Sequence, residues 1–144
     1  MAQEGKPNSR EEEIAQLRYM QTVYSQQYEI IMAELDTFAA AIGSLQRSIE
    51  ALNNADRLSN SKTLLNLEGG AYVEASIGSL DRILLYVGGG YLVEKNAAEA
   101  VAYLKSTLEK QESSMKKLSS EKQKLESAAL DVSYRLNLLT QSPR

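Results

Sequence analysis

The sequence predicts a mainly α-helical chain with a small β portion: a long antiparallel two-helix coiled coil that carries two β-hairpins at one end. Apolar residues recur at alternating steps of three and four in both outer parts of the chain, glycine clusters divide the middle, and prolines occur only at Pro7 and Pro143. Because proline interrupts helices, the chain between these two prolines is open to long helical segments.

The first segment, residues 9–56, is predicted to be a coiled-coil helix that follows a flexible N-terminus of residues 1–8. Ser9 and Glu12 have the spacing of a capping box, which would start the helix. An apolar period of about 3.5 residues, which is typical of a coiled coil, defines a seam, the stripe that faces the partner helix. Its residues are Ile14, Leu17, Gln21, Tyr24, Tyr28, Ile31, Leu35, Phe38, Ile42, Leu45, Ile49 and Leu52.

The middle segment, residues 57–96, is predicted to form two successive β-hairpins that serve oligomerisation. Short runs rich in β-branched residues, leucine and tyrosine are separated by Gly69-Gly70 and by Gly88-Gly89-Gly90. These runs place apolar side chains on both faces, and isolated hairpins leave open edges. We therefore expect an obligate oligomer in which hairpins from several chains close into an intersubunit β-barrel. The predicted oligomerisation residues are Leu65, Leu67, Tyr72, Val73, Ile77, Ile83, Leu85, Val87, Tyr91 and Val93.

The last segment, residues 97–140, is predicted to be the second coiled-coil helix, followed by a flexible tail of residues 141–144. Asn96 and Glu99 again have capping-box spacing. The two helices match in length, so we expect them to pair antiparallel, with both chain ends at the end away from the hairpins. The second seam consists of Ala97, Val101, Leu104, Leu108, Gln111, Met115, Leu118, Lys122, Leu125, Ala129, Val132, Leu136 and Leu139.

Near that terminal end of the helix pair, apolar residues also occupy off-seam positions. Off-seam positions between Lys105 and Ser127 are polar, whereas the terminal end carries apolar residues around its circumference. The off-seam apolar residues there are Tyr19, Met20, Val23, Ala128, Leu130, Tyr134 and Leu138. Exposed apolar patches mark interaction sites, so this end is predicted to bind other proteins; packing against another chain's helix is the alternative.

Composition excludes most other functions. The chain has no histidine and no cysteine, and its 16 Lys+Arg against 19 Asp+Glu give a net charge of −3, which excludes imidazole and thiolate chemistry and disfavours nucleic-acid binding. Gly88-Gly89-Gly90 precedes a strand pattern and matches no phosphate-binding loop, so we expect no cofactor and no enzyme activity. Without an apolar leader or a membrane-spanning run, we expect a cytoplasmic protein that does not bind membranes.

The hairpin segments resemble the alpha class of the prefoldin family, in an archaeal style. Glu68-Gly69-Gly70-Ala71-Tyr72-Val73-Glu74-Ala75 is similar to that family's first turn and second strand. Leu85-Tyr86-Val87-Gly88-Gly89-Gly90-Tyr91-Leu92-Val93-Glu94-Lys95-Asn96 is similar to its second hairpin leading into the last helix. Because beta-class subunits have one hairpin, the two hairpins favour the alpha class.

The resemblance implies a complex of two alpha and four beta subunits that holds non-native client proteins without ATP and passes them to a group II chaperonin. It also implies that the terminal end of the helix pair binds the client. The client-binding residues carried over by position are Ile14, Leu17, Tyr19, Met20, Val23, Val132, Tyr134, Leu136, Leu138 and Leu139. The alternative is a structural tether or assembly scaffold whose terminal end binds one fixed folded partner.

Overall fold

A computed structural model of the chain describes residues 7–141, with side chains from residue 9 onward. Of the expected flexible termini, Pro7, Asn8 and Gln141 belong to helices, and the other residues lie outside this range. The helices are α1 (Pro7–Asn53), α2 (Ala55–Leu58) and α3 (Ala97–Gln141), and the strands are β1 (Lys62–Asn66), β2 (Tyr72–Ser76), β3 (Ile83–Gly88) and β4 (Tyr91–Lys95). The predicted fold class, long helices with two small hairpins, is confirmed.

The chain divides into two compact units. The first contains the part of α1 up to Ala39 and the part of α3 from Ser113 onward, and the second contains the segment Ala40–Glu112 with both hairpins.

The helix ends differ in how well local sequence predicts them. Ser9 lies inside α1, which already includes Pro7, so the prediction that Ser9 caps the start of this helix is wrong. At the start of α3 the predicted cap is confirmed, because the Glu99 N–H donates to Asn96 Oδ1 at 2.8 Å. The Asn96 side-chain amide in turn donates to Glu99 Oε1 at 2.7 Å, which closes the box through side chains.

In the first unit the two helices pair antiparallel. Gln21 of α1 lies against Ser133 of α3, whereas Tyr28, further along α1, lies near Lys122, earlier on α3. The predicted seam residues of this unit are all buried or half-buried. The apolar period therefore identifies the residues between the helices.

In the second unit β1 pairs antiparallel with β2, and β3 with β4, as two separate two-stranded sheets. Leu65 faces Val73 in the first hairpin, and Leu85 faces Val93 in the second. The second turn places Gly89 and Gly90 at φ of +62° and +81°, a conformation that glycine adopts without the steric cost other residues meet.

The core of the second unit is small. Its buried apolar side chains are Ile49, Leu85 and Ala100. No helix within residues 7–141 combines the length and apolar character that crossing a membrane requires.

Candidate functional site

The terminal part of the first unit carries a set of exposed apolar side chains that we call the terminal surface. On α3, Leu130, Tyr134 and Leu138 follow one another at intervals of four and so lie on one side of the helix. On α1, Tyr19 and Met20 are exposed at the same end, and Tyr19 and Leu130 are each 72% exposed. The terminal surface consists of Tyr19, Met20, Leu130, Tyr134 and Leu138.

The structure separates the predicted client-binding residues into three groups. Tyr19, Met20, Tyr134 and Leu138 are exposed, whereas Leu17 and Val132 are buried in the seam. The remaining four are half-buried: Ile14, Val23, Leu136 and Leu139. Leu130 is absent from the predicted set, although its spacing of four from Tyr134 is the signal that places it on the same stripe.

Two charged groups near the terminal surface interact with other residues of the same chain. Arg135 Nε lies 3.3 Å from Asp131 Oδ2 in an exposed ion pair on α3. The Arg10 guanidinium donates a hydrogen bond to the backbone carbonyl of Leu139, one of the last carbonyls of α3, which lack an intrahelical donor. Both interactions keep charged groups next to the apolar side chains, so the terminal surface is an apolar stripe bordered by polar groups.

An open groove of about 630 Å³ runs between the two helices beside Leu130. Tyr24 and Tyr28 form its α1 side, and Leu125 and Ala129 contribute apolar surface from α3. The other lining residues are Gln21, Ser25, Glu126 and Ser133. Such a groove offers an apolar side chain of another polypeptide a partly enclosed position next to the terminal surface.

The hairpins form a second apolar surface. Leu85 is only 7% exposed, and Ile77 and Ile83 are half-buried, so these three have less surface to offer another chain than the sequence analysis expected. The other predicted oligomerisation residues are exposed: Leu65, Leu67, Tyr72, Val73, Val87, Tyr91 and Val93. Leu64, Leu84, Tyr86 and Leu92 are also exposed and were not predicted.

No group of three or more acidic side chains within residues 7–141 is arranged to hold a metal ion.

Two long helices connected through two β-hairpins define the class of this protein: it is a coiled-coil protein whose helices are linked by β-hairpins. The family described as "Prefoldin subunit" matches residues 24–142, and the chain belongs to the prefoldin family, whose members are non-enzymatic chaperones. The expected resemblance is confirmed.

Individual relatives agree. The chain is 33% identical to the prefoldin subunit alpha of Methanocorpusculum labreanum, over 89% of this chain and 88% of that protein. It is 31% identical to the prefoldin subunit alpha of Methanoregula boonei, over 86% of this chain and 81% of that protein. Its fold is similar to a cryo-EM structure of filamentous PFD from Methanocaldococcus jannaschii, with a TM-score of 0.54, 24% identity and coverage of 86% and 98% of the two chains.

Proposed function

We propose that this chain is an alpha-type subunit of a prefoldin complex that captures non-native polypeptides at the terminal surface without ATP. The observation that carries the proposal is the exposure of five apolar side chains at one end of the helix pair. These exposed side chains do not require one fixed folded partner, because tyrosine, leucine and methionine side chains can pack against many different apolar groups.

Each terminal surface is small, so one copy would bind a client weakly. Several copies held in one complex would surround the same client, and their summed weak contacts would hold it by avidity. Weak individual contacts also allow release in steps, which suits delivery to a group II chaperonin.

Assembly is proposed to occur through the hairpins, with two copies of this chain and four beta-type subunits joined by a β-barrel. The support is the apolar side chains exposed on both faces of each hairpin, together with two sheets that each contain only two strands. We place the complex in the cytoplasm, where newly made polypeptides are its clients.

The test uses the complex reconstituted with a beta-type subunit and a triple variant, Tyr19→Gln, Leu130→Gln and Tyr134→Gln. The variant is expected to form a complex of unchanged mass but to lose suppression of aggregation of two unrelated unfolded proteins. A matched control, Ile30→Gln with Tyr103→Gln, removes exposed apolar side chains outside the terminal surface and should retain suppression.

Two outcomes contradict the proposal. If the triple variant protects clients as well as the unchanged complex, the terminal surface does not bind them. If the unchanged complex binds neither unfolded protein but binds one folded partner, the scaffold alternative is correct.

A further inference from the structure

The groove beside Leu130 has the length of two helical turns. Its lining residues lie between positions 21 and 28 on α1 and between positions 125 and 133 on α3, which at about 1.5 Å per residue spans roughly 11–12 Å. Leu130 belongs both to the groove and to the terminal surface, so the two are continuous. A polypeptide bound at the terminal surface can therefore extend into the groove.

Both walls of the groove are helices whose main-chain groups are already bonded. Residues 21–28 and 125–133 lie inside α1 and α3, away from the helix ends where N–H and C=O groups lack intrahelical partners. Of the polar side chains in the lining, Gln21 and Ser133 are bonded to each other at 3.1 Å. The groove therefore offers few hydrogen-bond partners to the backbone of another chain.

This lining discriminates between backbone conformations of a bound segment. An extended segment would turn N–H and C=O groups toward the helical walls and lose their hydrogen bonds to water. A helical segment pairs the same groups within itself and presents only side chains. The side chains of Ser25, Ala129 and Ser133 are short, which lets a helix approach the groove closely.

The groove carries one charged side chain. Of the described residues that line it, only Glu126 is charged. Its Oε1 lies 3.6 Å from Lys122 Nζ, and a carboxylate has a second oxygen that can accept from another donor. A second groove of the same unit, of about 530 Å³, has charges of both signs in its lining, from Glu34, Glu121 and Lys124. The groove beside Leu130 is therefore the more apolar of the two, and its charge is complementary to a cation.

We propose that this groove binds a short amphipathic helix of the client, with apolar residues at intervals of three and four over two turns and a lysine or arginine beside them. The apolar stripe packs against Tyr24, Tyr28 and Leu125, and the cation lies near Glu126. The inference rests on the function proposed above and names the class of segment that this chain captures, which is helical rather than extended.

Two peptides of identical composition test the inference on the complex reconstituted with a beta-type subunit. Both contain leucine, lysine and alanine and one photoreactive group; the first spaces its leucines by three and four, and the second by two, as in a strand. Cross-linking to this chain, separated from the beta-type subunit by gel electrophoresis, gives a half-saturating concentration for each peptide. The first peptide is expected to half-saturate at an about tenfold lower concentration. Equal values for the two peptides would overturn the proposal.

A pair of variants locates the binding. Ser25→Gln places a longer polar side chain in the groove lining and should raise the half-saturating concentration of the first peptide about fivefold. Ser120→Gln is the same exchange at an exposed position outside the groove lining and should leave that concentration unchanged. If Ser25→Gln has no more effect than Ser120→Gln, the peptide does not occupy the groove.

A second pair of variants tests the charge preference. A third peptide, with glutamate in place of each lysine of the first, should bind the unchanged complex more weakly than the first does. Glu126→Gln should reduce the ratio of the two half-saturating concentrations about threefold, whereas Glu121→Gln makes the same change of net charge in the second groove and should not. Equal effects of the two variants would indicate general attraction to a negatively charged protein and would overturn the placement of the cation.

The outcomes separate this inference from the function proposed above. If the complex suppresses aggregation of unfolded proteins but binds the two leucine peptides equally, or binds neither, the helical groove alone is wrong. If the complex protects no unfolded protein and cross-links to neither peptide, the proposed function fails as well.

Discussion

Gln21 and Ser133 are joined by a hydrogen bond of 3.1 Å that crosses from α1 to α3, with Gln21 Nε2 donating to Ser133 Oγ. Gln21 occupies a seam position where apolar residues are the rule, and the serine hydroxyl supplies an acceptor for its amide. A polar seam residue with a partner favours one alignment of two helices over others.

We expect Gln21→Ala and Ser133→Ala each to lower the free energy of unfolding by about 1 kcal/mol, since each leaves a part-buried polar group without its partner. The double variant should lose less than the sum, and urea denaturation of all four proteins measures the difference. Thr22→Ala is the control: its hydroxyl bonds only to the Arg18 carbonyl of its own helix, at 3.2 Å and exposed. Strictly additive losses would mean that the hydrogen bond contributes nothing.

The cap of α3 gives a second prediction. Asn96→Ala should destabilise the chain by about 1 kcal/mol, because the Glu99 N–H loses its acceptor at the helix start. Asn96→Ser keeps an acceptor oxygen and should restore most of the loss in thermal unfolding followed by helical circular dichroism. If serine is no better than alanine, the side chain of residue 96 does not cap the helix.

The sequence predicts well which residues lie between the paired helices, because the spacing of residues along a helix determines which side of the helix they occupy. Every predicted seam residue, including the polar Gln21, Gln111 and Lys122, is buried or half-buried. Lys122 fits at a seam position because its ammonium extends away from the centre of the seam. Its Nζ lies 5.8 Å from the centre of the Tyr28 ring and 3.6 Å from Glu126 Oε1.

The functional surfaces are predicted less well, because exposure depends on tertiary context. Leu65 and Leu85 occupy corresponding positions in the two hairpins, opposite Val73 and Val93, yet Leu65 is 52% exposed and Leu85 is 7% exposed. At the terminal end, Leu17 and Val132 were assigned both to the seam and to the client-binding set, and their burial places them in the seam. Spacing along one helix cannot decide between these roles.

The second hairpin turn gives a third prediction. Gly89 has φ of +62°, and a Cβ there would lie 3.4 Å from Tyr91 Cδ2. Gly89→Ala should therefore cost about 1–2 kcal/mol, the penalty of a side chain in the left-handed region. Gly78→Ala is the matched control, because its φ is outside that region and nothing lies within 4 Å of the added Cβ. Equal unfolding midpoints in urea for the two variants would rule out a strained turn.

The fourth prediction separates seam from surface on one helix. Leu35 is 9% exposed and Ile30, five residues earlier, is 59% exposed. Leu35→Ala removes buried apolar contacts and leaves a cavity, which costs about 2–5 kcal/mol; the lower end is expected here because two helices can close partly around the gap. Ile30→Ala removes mostly hydrated surface and should change the free energy of unfolding by less than about 0.5 kcal/mol. Thermal unfolding of the assembled protein compares them, and a loss at Ile30 as large as that at Leu35 would mean that a partner covers Ile30 in the complex.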